Sequence, residues 1–207
     1  METTLEDYIT ILNDAGFEAF AFDISSLKDD TYSIALVTKE YVRGRLVADS
    51  SNEPFSFAVT NRDMISDFSK AEREGILASG SAYDAEKGIY RLAGKITLGF
   101  SSTADSLKNV KVIVENMGAI GKKLALRQLE APGFEGRYFY QVRPFRTDSF
   151  KEGEFTPLVL VGSYWYDINN GLIRFCTESE FDPDMSSESF SQIPHYYVLG
   201  VTVSRLK

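Results

Sequence analysis

The spacing of apolar residues near the beginning of the chain predicts an amphipathic helix. Thr3 and Glu6 are three residues apart, as in a capping box, and Gly16 is suited to end the helix. The aromatic-rich segment that follows, Phe17 to Ile24, predicts a strand because its apolar residues alternate. Between the cap and the glycine, apolar residues recur at the i, i+3, i+4 and i+7 spacing that gathers side chains on one helix face: Leu5, Tyr8, Ile9 and Leu12.

Alternation of apolar and polar residues continues through the first half of the chain and predicts strands separated by turns. A short helix that begins after Asn61 and ends at Gly75 interrupts them, because Asn is a good N-cap and the apolar residues behind it have helical spacing. The predicted strands of this half cover residues 32–38, 41–48, 55–59 and 90–100, and the last of these has the clearest alternation.

Two periodicities compete in the segment 105–117. Val110, Val112 and Val114 alternate, as they would in a strand, and β-branched residues favour strands. We nevertheless predict a helix, because the polar residues 101–103 offer N-caps and because a second set of apolar residues has helical spacing. That set is Leu107, Val110, Val114 and Met117.

Strands and turns are predicted for the remainder of the chain. Asn170-Gly171 is the strongest hairpin signal in the sequence, since both residues accept the positive φ that a tight hairpin turn requires. Residues 179–194 are acidic and rich in serine and predict a long loop, which is the kind of segment that is usually functional or mobile. A final alternating strand is predicted over 196–203.

Together these elements predict an α+β fold: a mostly antiparallel mixed sheet with two or three helices and a β-rich C-terminal part. The change of pattern divides the chain into an α+β domain, 1–121, and a β-rich domain or extension, 122–207, packed on it. Hydrophobic residues make up 43% of the 207 residues and aromatic residues 13%, which is enough apolar material for a packed core.

The chain is acidic, with a formal net charge of −8 at pH 7 and a pI of about 4.8. An acidic protein repels phosphate backbones, so a nucleic-acid partner is not expected. The first seven residues lack the basic and apolar regions of a signal peptide, and no apolar stretch reaches the roughly 18 residues needed to span a bilayer. We therefore predict a cytoplasmic protein without a membrane partner.

Charge is distributed unevenly along the chain. Between residues 121 and 146 six basic residues stand against two acidic ones, and between residues 174 and 188 one arginine stands against five acidic residues. Segments of opposite charge favour contacts between copies, head to tail in a ring, although they also fit pairing within one fold or simple solvation. The predicted interface comprises Lys122, Lys123, Arg127, Arg137, Arg143, Arg146, Glu178, Glu180, Asp182 and Asp184.

One histidine, His195, and one cysteine, Cys176, limit nucleophilic and metal chemistry. A Ser-His-Asp or Cys-His arrangement would need His195 as its base, and no local motif supports one, so we expect a histidine at the surface or on an edge strand. One residue of each type cannot complete a zinc site without carboxylates. The stretch from Gly118 to Lys123 lacks the glycine spacing and the Ser or Thr of a phosphate-binding loop.

Carboxylates are the remaining candidates for chemistry. The acidic residues of 178–184 would suit Ca²⁺, which prefers oxygen ligands, but a solvated acidic loop is the favoured interpretation. Asp167 to Gly171 resembles the start of a calcium loop, yet its glycine comes one residue early and the closing glutamate is missing. Thirty acidic residues give no way to choose the pair that a hydrolase would use. No enzyme activity, cofactor or metal is predicted.

The layout of the first 121 residues resembles that of phage tail-terminator and tail-completion proteins. The resemblance rests on the helix 5–12, the strand from Phe17, and the strand 90–100 that leads into a Ser-capped helix ending at Met117. It implies a virion protein that forms a ring, commonly a hexamer, and that caps the tail tube and joins it to the head without catalysis. The rest of the chain would be an addition to that layout.

The leading prediction is a non-enzymatic structural protein that acts through contacts with its own copies or with other structural proteins, in a virion if the phage resemblance holds. The alternative is a small-molecule or peptide-binding module whose apolar cleft is lined by Tyr164, Trp165 or Tyr166. A carboxylate-dependent hydrolase is the third hypothesis. The three differ in what the fold should contain: a contact surface, an aromatic pocket, or two converging acids.

Overall fold

Strands dominate the secondary structure of the chain. The computed structural model describes residues 5–27, 32–52, 55–59, 68–78, 82–84, 89–91, 94–104, 106–115, 118–129, 140–167, 171–173 and 179–206. The helices within these ranges are α1 (Leu5–Asp14), α2 (Lys70–Ala78) and α3 (Ser189–Gln192), and none of them is long and apolar enough to cross a membrane. The strands are β1 (Glu18–Asp23), β2 (Tyr32–Val42), β3 (Arg45–Asp49), β4 (Phe55–Val59), β5 (Ala82–Asp84), β6 (Ile89–Arg91), β7 (Lys95–Ala104), β8 (Leu107–Val114), β9 (Gly118–Ala125), β10 (Tyr140–Pro144), β11 (Phe155–Ser163), β12 (Tyr166–Asp167), β13 (Leu172–Ile173) and β14 (His195–Arg205).

Two antiparallel sheets carry the architecture. The first sheet has the strand order β1-β7-β8-β9, and the second has the order β10-β11-β14-β2-β3, with β4 also paired to β2. Two short ladders, β12-β13 and β5-β6, stand apart from them. The pairing of β14 with β2 runs from His195 opposite Val42 to Arg205 opposite Tyr32, which makes β14 the central strand of the second sheet.

The two sheets pack face to face around an apolar core. Tyr197, Leu199 and Val201 of β14 point into this core and lie in one cluster with Ile96 of β7 and Val112 of β8. The alternation of β14 thus selects one set of side chains for the space between the sheets.

The second sheet is also covered on its other face. Phe181, Phe190 and Ile193, all from the acidic segment 179–194, pack there in a second apolar cluster with Trp165. The predicted loop is therefore anchored by its aromatic side chains, while its acidic side chains face water. The strand predicted over 196–203 is confirmed as β14, but it is buried on both faces instead of one, as β11 is. Such strands are nearly continuous in apolar residues because neither face meets water.

The predicted α+β class agrees with the three short helices and the antiparallel sheets. The helix near the start of the chain is confirmed as α1, the strand after it as β1, and the Asn170-Gly171 hairpin as the pairing of β12 with β13. Helix α2 is capped by reciprocal bonds between Ser69 and Glu72. It continues to Ala78, so the predicted end at Gly75 is wrong, and residues 61–67 lie outside the described residues.

The predicted helix across 105–117 is wrong, because residues Leu107–Val114 form the strand β8. Val110, Val112 and Val114 are buried in the core, and β8 has hydrogen-bonded neighbours on both edges. The β-branched alternation therefore prevails, and residues 101–103, predicted as N-caps, instead belong to the end of β7. The strand predicted over 90–100 is also wrong as one element, since it is divided between β6 and β7 in separate sheets. Two of the elements on which the resemblance to tail-terminator proteins rests are therefore not found.

The boundary predicted between residues 121 and 122 falls inside β9. Strands from both predicted parts share each sheet, since β9 completes the first sheet and β2 pairs with β14 in the second. The core between the sheets accordingly contains residues from both parts, such as Phe22 and Leu158.

Candidate functional site

Helix α1 and the outer face of the first sheet enclose a groove of about 930 Å³, called the α1 groove below. Ile9 and Leu12 of α1, with Phe17 just before β1, line one end, and Lys111 of β8 and the segment 119–123 of β9 line the other. The strand alternation brings the outward-pointing residues of the sheet into its floor.

The apolar end of the groove is open to water. Ile9 is 49% exposed, Leu12 50% and Phe17 49%. Ile9 and Leu12 belong to the apolar stripe that the helical spacing predicts, so this part of the stripe faces the groove rather than a packed core. Removing apolar surface from water is favourable by about 25 cal/mol per Å², so exposed apolar residues in a concave place favour a bound partner.

The opposite end of the groove is cationic. The ammonium groups of Lys111, Lys122 and Lys123 form no hydrogen bond and no ion pair with the rest of the chain as far as it is described. The carboxylate among the described lining residues, Glu18, already has a partner, because its Oε1 atom lies 3.6 Å from Nζ of the buried Lys108. Partial burial lowers the pKa of Lys122, since its ammonium group loses part of its hydration.

A second cavity, polar and of about 630 Å³, lies between β3 and β9. Its two carboxylates, Glu40 and Asp49, are both engaged within the chain. Asp49 accepts hydrogen bonds from Ser51, which hold its pKa below the ordinary value, and lies 3.8 Å from the ammonium group of Lys39. The cavity therefore lacks a free pair of acids among the described residues, as a carboxylate-dependent hydrolase would require.

His195 occupies the first position of β14 and is completely buried, so the expectation of a surface or edge-strand histidine is wrong. Its Nε2 atom lies 3.0 Å from Oε1 of Glu40, and its Nδ1 atom lies 2.5 Å from the hydroxyl oxygen of Tyr140. Nε of Arg127 donates to the same Glu40 oxygen at 2.7 Å. These four side chains are called the His195 network below.

The hydrogen bonds of the network fix the tautomer of the histidine. A carboxylate can only accept, so Nε2 carries the proton that is donated to Glu40. In the neutral ring Nδ1 is then an acceptor, and the Tyr140 hydroxyl donates to it while accepting from the backbone N–H of Arg127 at 3.0 Å. A protonated ring would turn the Tyr140 hydroxyl toward the Arg127 carbonyl, 2.6 Å away.

Burial determines the charge state of the network. It lowers the pKa of His195, although the hydrogen bond and the charge of Glu40 oppose the shift. Burial also raises the pKa of the neighbouring Tyr197 to about 12, helped by the charge of Glu40. The histidine is thus neutral near pH 7 and serves to bind β14, β2 and β10 to the chain that follows β9.

Catalysis by this histidine would need an accessible nucleophile. The serine hydroxyl beside the histidine, that of Ser163, accepts a hydrogen bond from the backbone N–H of His195 at 3.1 Å, and both residues are completely buried. A substrate therefore has no route to them in this conformation. Cys176, the other candidate nucleophile, lies outside the described residues.

The structure pairs part of the predicted interface within the chain. Arg146 donates to Glu180 at 2.7 Å and to Asp182 at 3.2 Å, and these bonds raise the pKa of its guanidinium. Arg127 binds Glu40 in the His195 network. Two of the arginines predicted to contact another copy thus form ion pairs within their own chain. Both pairs hold loops against the second sheet.

The other predicted interface residues have varied positions. Arg143 donates to the Val142 carbonyl and the Gln141 side chain, and Asp184 accepts from the backbone of Ser186, which lowers its pKa. Arg137 and Glu178 lie outside the described residues. Lys122 and Lys123 line both cavities, and whether any of these residues contacts another copy stays a prediction.

Neither of the two cavities described above is lined by residues 164–166, and an aromatic cleft at these residues stays a prediction. Trp165 is 8% exposed and packs beneath the segment 179–194. Within the described residues no group of three His, Cys, Asp or Glu side chains is placed to hold a metal ion, and the segment Asp167–Gly171 lies partly outside them.

Sequence reasoning missed Glu40, Tyr140 and the role of Phe17. Glu40 and Tyr140 come together with His195 only through the pairing of strands far apart in the chain, for which the sequence has no local signal. The sequence indicates only weakly that Phe17 lies outside the core. The core-facing residues of the strand after it are even-numbered, whereas Phe17 is odd-numbered and follows the end of a helix.

Comparison with known families found one match over nearly the whole chain, to a domain of unknown function, DUF5041, across residues 1–205. The chain therefore belongs to this family. Comparisons with curated proteins and with solved structures found no match.

Proposed function

We propose that this member of the DUF5041 family is a non-enzymatic binding protein that holds an apolar ligand or ligand segment in the α1 groove. One observation carries the proposal: Ile9, Leu12 and Phe17 leave about half of their side chains exposed around a single concave space. Apolar clefts of several hundred Å³ are the usual form of small-molecule sites. A ligand that fills this space removes apolar surface from water without any change of fold.

The state of the polar residues supports binding rather than catalysis. A general base must lie within reach of a substrate proton, whereas His195 is closed off and already hydrogen-bonded on both ring nitrogens. The carboxylates of the polar cavity are engaged with basic and hydroxyl partners. These groups contribute to the fold. The exposed apolar side chains and, within the described residues, the unpaired ammonium groups of the groove are the ones that an external partner can contact.

Titration with an anionic apolar dye, 1-anilinonaphthalene-8-sulfonate, tests the proposal. We expect the native protein to bind it saturably, and Leu12→Ser to weaken binding at least tenfold. Ile11→Ser is the matched control, because Ile11 is on the same helix and 60% exposed but does not line the groove. Absence of saturable binding, or an equal loss in both variants, would contradict a site in this groove.

A second candidate function is assembly through the same face, which is the leading prediction from the sequence. Ile11 on α1 and Ile113 on β8 are exposed outside the groove and extend its apolar surface. Surfaces of this kind mark contacts with other protein chains. Light scattering over a range of concentrations should then detect oligomers that Ile11→Ser with Ile113→Ser dissociates, and a monomer throughout would argue against self-assembly. The role in a phage tail stays a prediction.

A further inference from the structure

We propose that the ligand of the α1 groove is a long-chain carboxylate, with its tail against α1 and β1 and its carboxylate at the lysines of β8 and β9. This inference rests on the binding function proposed above and names the chemistry of the ligand. It follows from the polarity of the groove, which is apolar at one end and cationic at the other.

The floor of the groove runs straight across the first sheet. In the strand register Ala19 lies opposite Gly99, Gly99 opposite Lys111, and Lys111 opposite Gly121. These positions span three strand spacings, or about 14 Å at about 4.8 Å for each spacing. An extended ligand lying across the strands thus passes from the apolar end to the cationic end.

Small residues give the floor its depth. A Cβ atom added at Gly121 would meet no atom within 4 Å, and one added at Gly99 would come no closer than 3.8 Å to the Lys111 carbonyl oxygen. Both positions therefore open into free space, as Ala19 and Ala119 do with their short side chains. An alkyl chain can lie directly on this part of the sheet.

The charges of the groove select an anion. Lys111, Lys122 and Lys123 have no partner within the described chain, whereas Glu18, the acidic residue among the described lining, is held by Lys108. Lys111 and Lys123 lie on the groove side of the first sheet, so their long side chains can both reach a group placed at this end, whereas Lys122, opposite the buried Val110, points to the other side of β9.

The other simple amphiphiles fit less well. A neutral chain would cover the apolar end but leave the lysines without a counter-ion, and a cationic chain would place like charges together. A carboxylate gives the ammonium groups of Lys111 and Lys123 the counter-ion that the described chain does not supply. The selection is local, because the protein as a whole carries a charge of −8.

Isothermal titration of the full chain with three probes of equal length tests this: dodecanoate and dodecylamine below their micelle-forming concentrations, and dodecanol below its solubility limit. We expect dodecanoate to bind at least tenfold more tightly than dodecanol, and dodecylamine to bind most weakly. Lys111→Met with Lys123→Met should remove the preference for dodecanoate while leaving dodecanol affinity within about twofold. Lys95→Met with Lys151→Met is the control, since both lysines are exposed outside the groove.

A blocking variant tests the location of the ligand. Gly121→Leu places a side chain in the empty floor and should reduce the affinity for both dodecanoate and dodecanol at least tenfold. Gly99→Val blocks the middle of the same floor and suits a strand, so it serves if the first variant folds poorly. Unchanged binding in a folded blocking variant would overturn the inference.

The outcomes separate the inference from the proposed function. Equal affinity for dodecanoate and dodecanol would overturn the carboxylate and leave an apolar binding protein. Failure of all three probes to bind would overturn both. Binding to phosphatidylglycerol vesicles without binding to monomeric dodecanoate would also overturn the inference, because it would indicate a lipid surface as the partner.

Discussion

Similar side chains differ in burial and in bonding partners between the interior around the second sheet and the α1 groove. In the interior, Glu40 and His195 satisfy each other and Leu160 is completely buried. In the groove, Leu12 is half exposed and Lys123 has no partner among the described residues. Groups that complete the fold have found their partners within the chain, so the groups without partners indicate where an external molecule is expected.

The largest difference between the two regions should appear when leucines are shortened. Leu160→Ala removes packed atoms from the second apolar cluster and should lower the free energy of unfolding by about 2–5 kcal/mol. Urea denaturation followed by circular dichroism measures the change. A loss below about 1 kcal/mol would mean that this face is packed no better than the groove.

Removal of Glu40 should be the next largest effect. Glu40→Ala leaves the buried Nε2 proton of His195 without an acceptor and Arg127 without its carboxylate, so we expect a loss of about 2–3 kcal/mol. Glu40→Gln is the control, because its amide oxygen still accepts from His195, and it should lose about 1 kcal/mol. Equal losses would show that the charge, and not the hydrogen bond, holds the network.

The pH dependence of stability should also report on the network. His195 has a lowered pKa in the folded protein, so between that value and about 6.5, its unfolded value, the unfolded state binds more protons. Stability should therefore fall as the pH falls below about 6.5, by at most about 1.4 kcal/mol per pH unit for one proton. The charged and titratable groups that face the ring are Glu40, Arg127, Tyr140 and Tyr197.

Denaturation of the wild type and of His195→Gln at several pH values isolates this contribution. The carboxylates titrate in both proteins, so the difference between their slopes belongs to the histidine. The same slope between pH 5 and 7 in both proteins would contradict a buried neutral His195.

The smallest effect on stability is expected in the groove. Leu12→Ala should change the free energy of unfolding by less than about 0.5 kcal/mol, because half of the Leu12 surface is already exposed to water. The measurement is the same urea titration as for Leu160→Ala. A loss near that of Leu160→Ala would show that α1 packs on the sheet in solution and that the groove closes.

Local patterns predicted those parts of the fold that local forces determine. Helix α1 and the β12-β13 hairpin depend on residues a few positions apart, and both are found where they are expected, while Thr3 of the predicted cap lies outside the described residues. The secondary structure of the segment 105–117 was predicted wrongly because its residues fit a helix and a strand equally. The strand forms because β7 and β9 pair with its two edges.

The candidate site was predictable only in part. The apolar stripe of α1 and the basic residues near 122 are visible in the sequence, but their meeting across the first sheet depends on the strand order β1-β7-β8-β9. The same holds for His195, whose burial follows from the central place of β14 and not from its neighbours Pro194 and Tyr196. Long-range pairing carries this information, and no spacing within one segment contains it.

The pairing of β2 with β14 also determines how long the second sheet stays incomplete while the chain is being synthesised. The contact between Glu40 and His195 spans 155 residues, which take about 8 to 30 seconds to synthesise at about 5–20 residues per second. Throughout that interval β2 lacks its central neighbour, and its apolar face and unpaired edge stay exposed. The danger of aggregation for this protein is therefore concentrated before β14 emerges, and it is determined by the order of the strands.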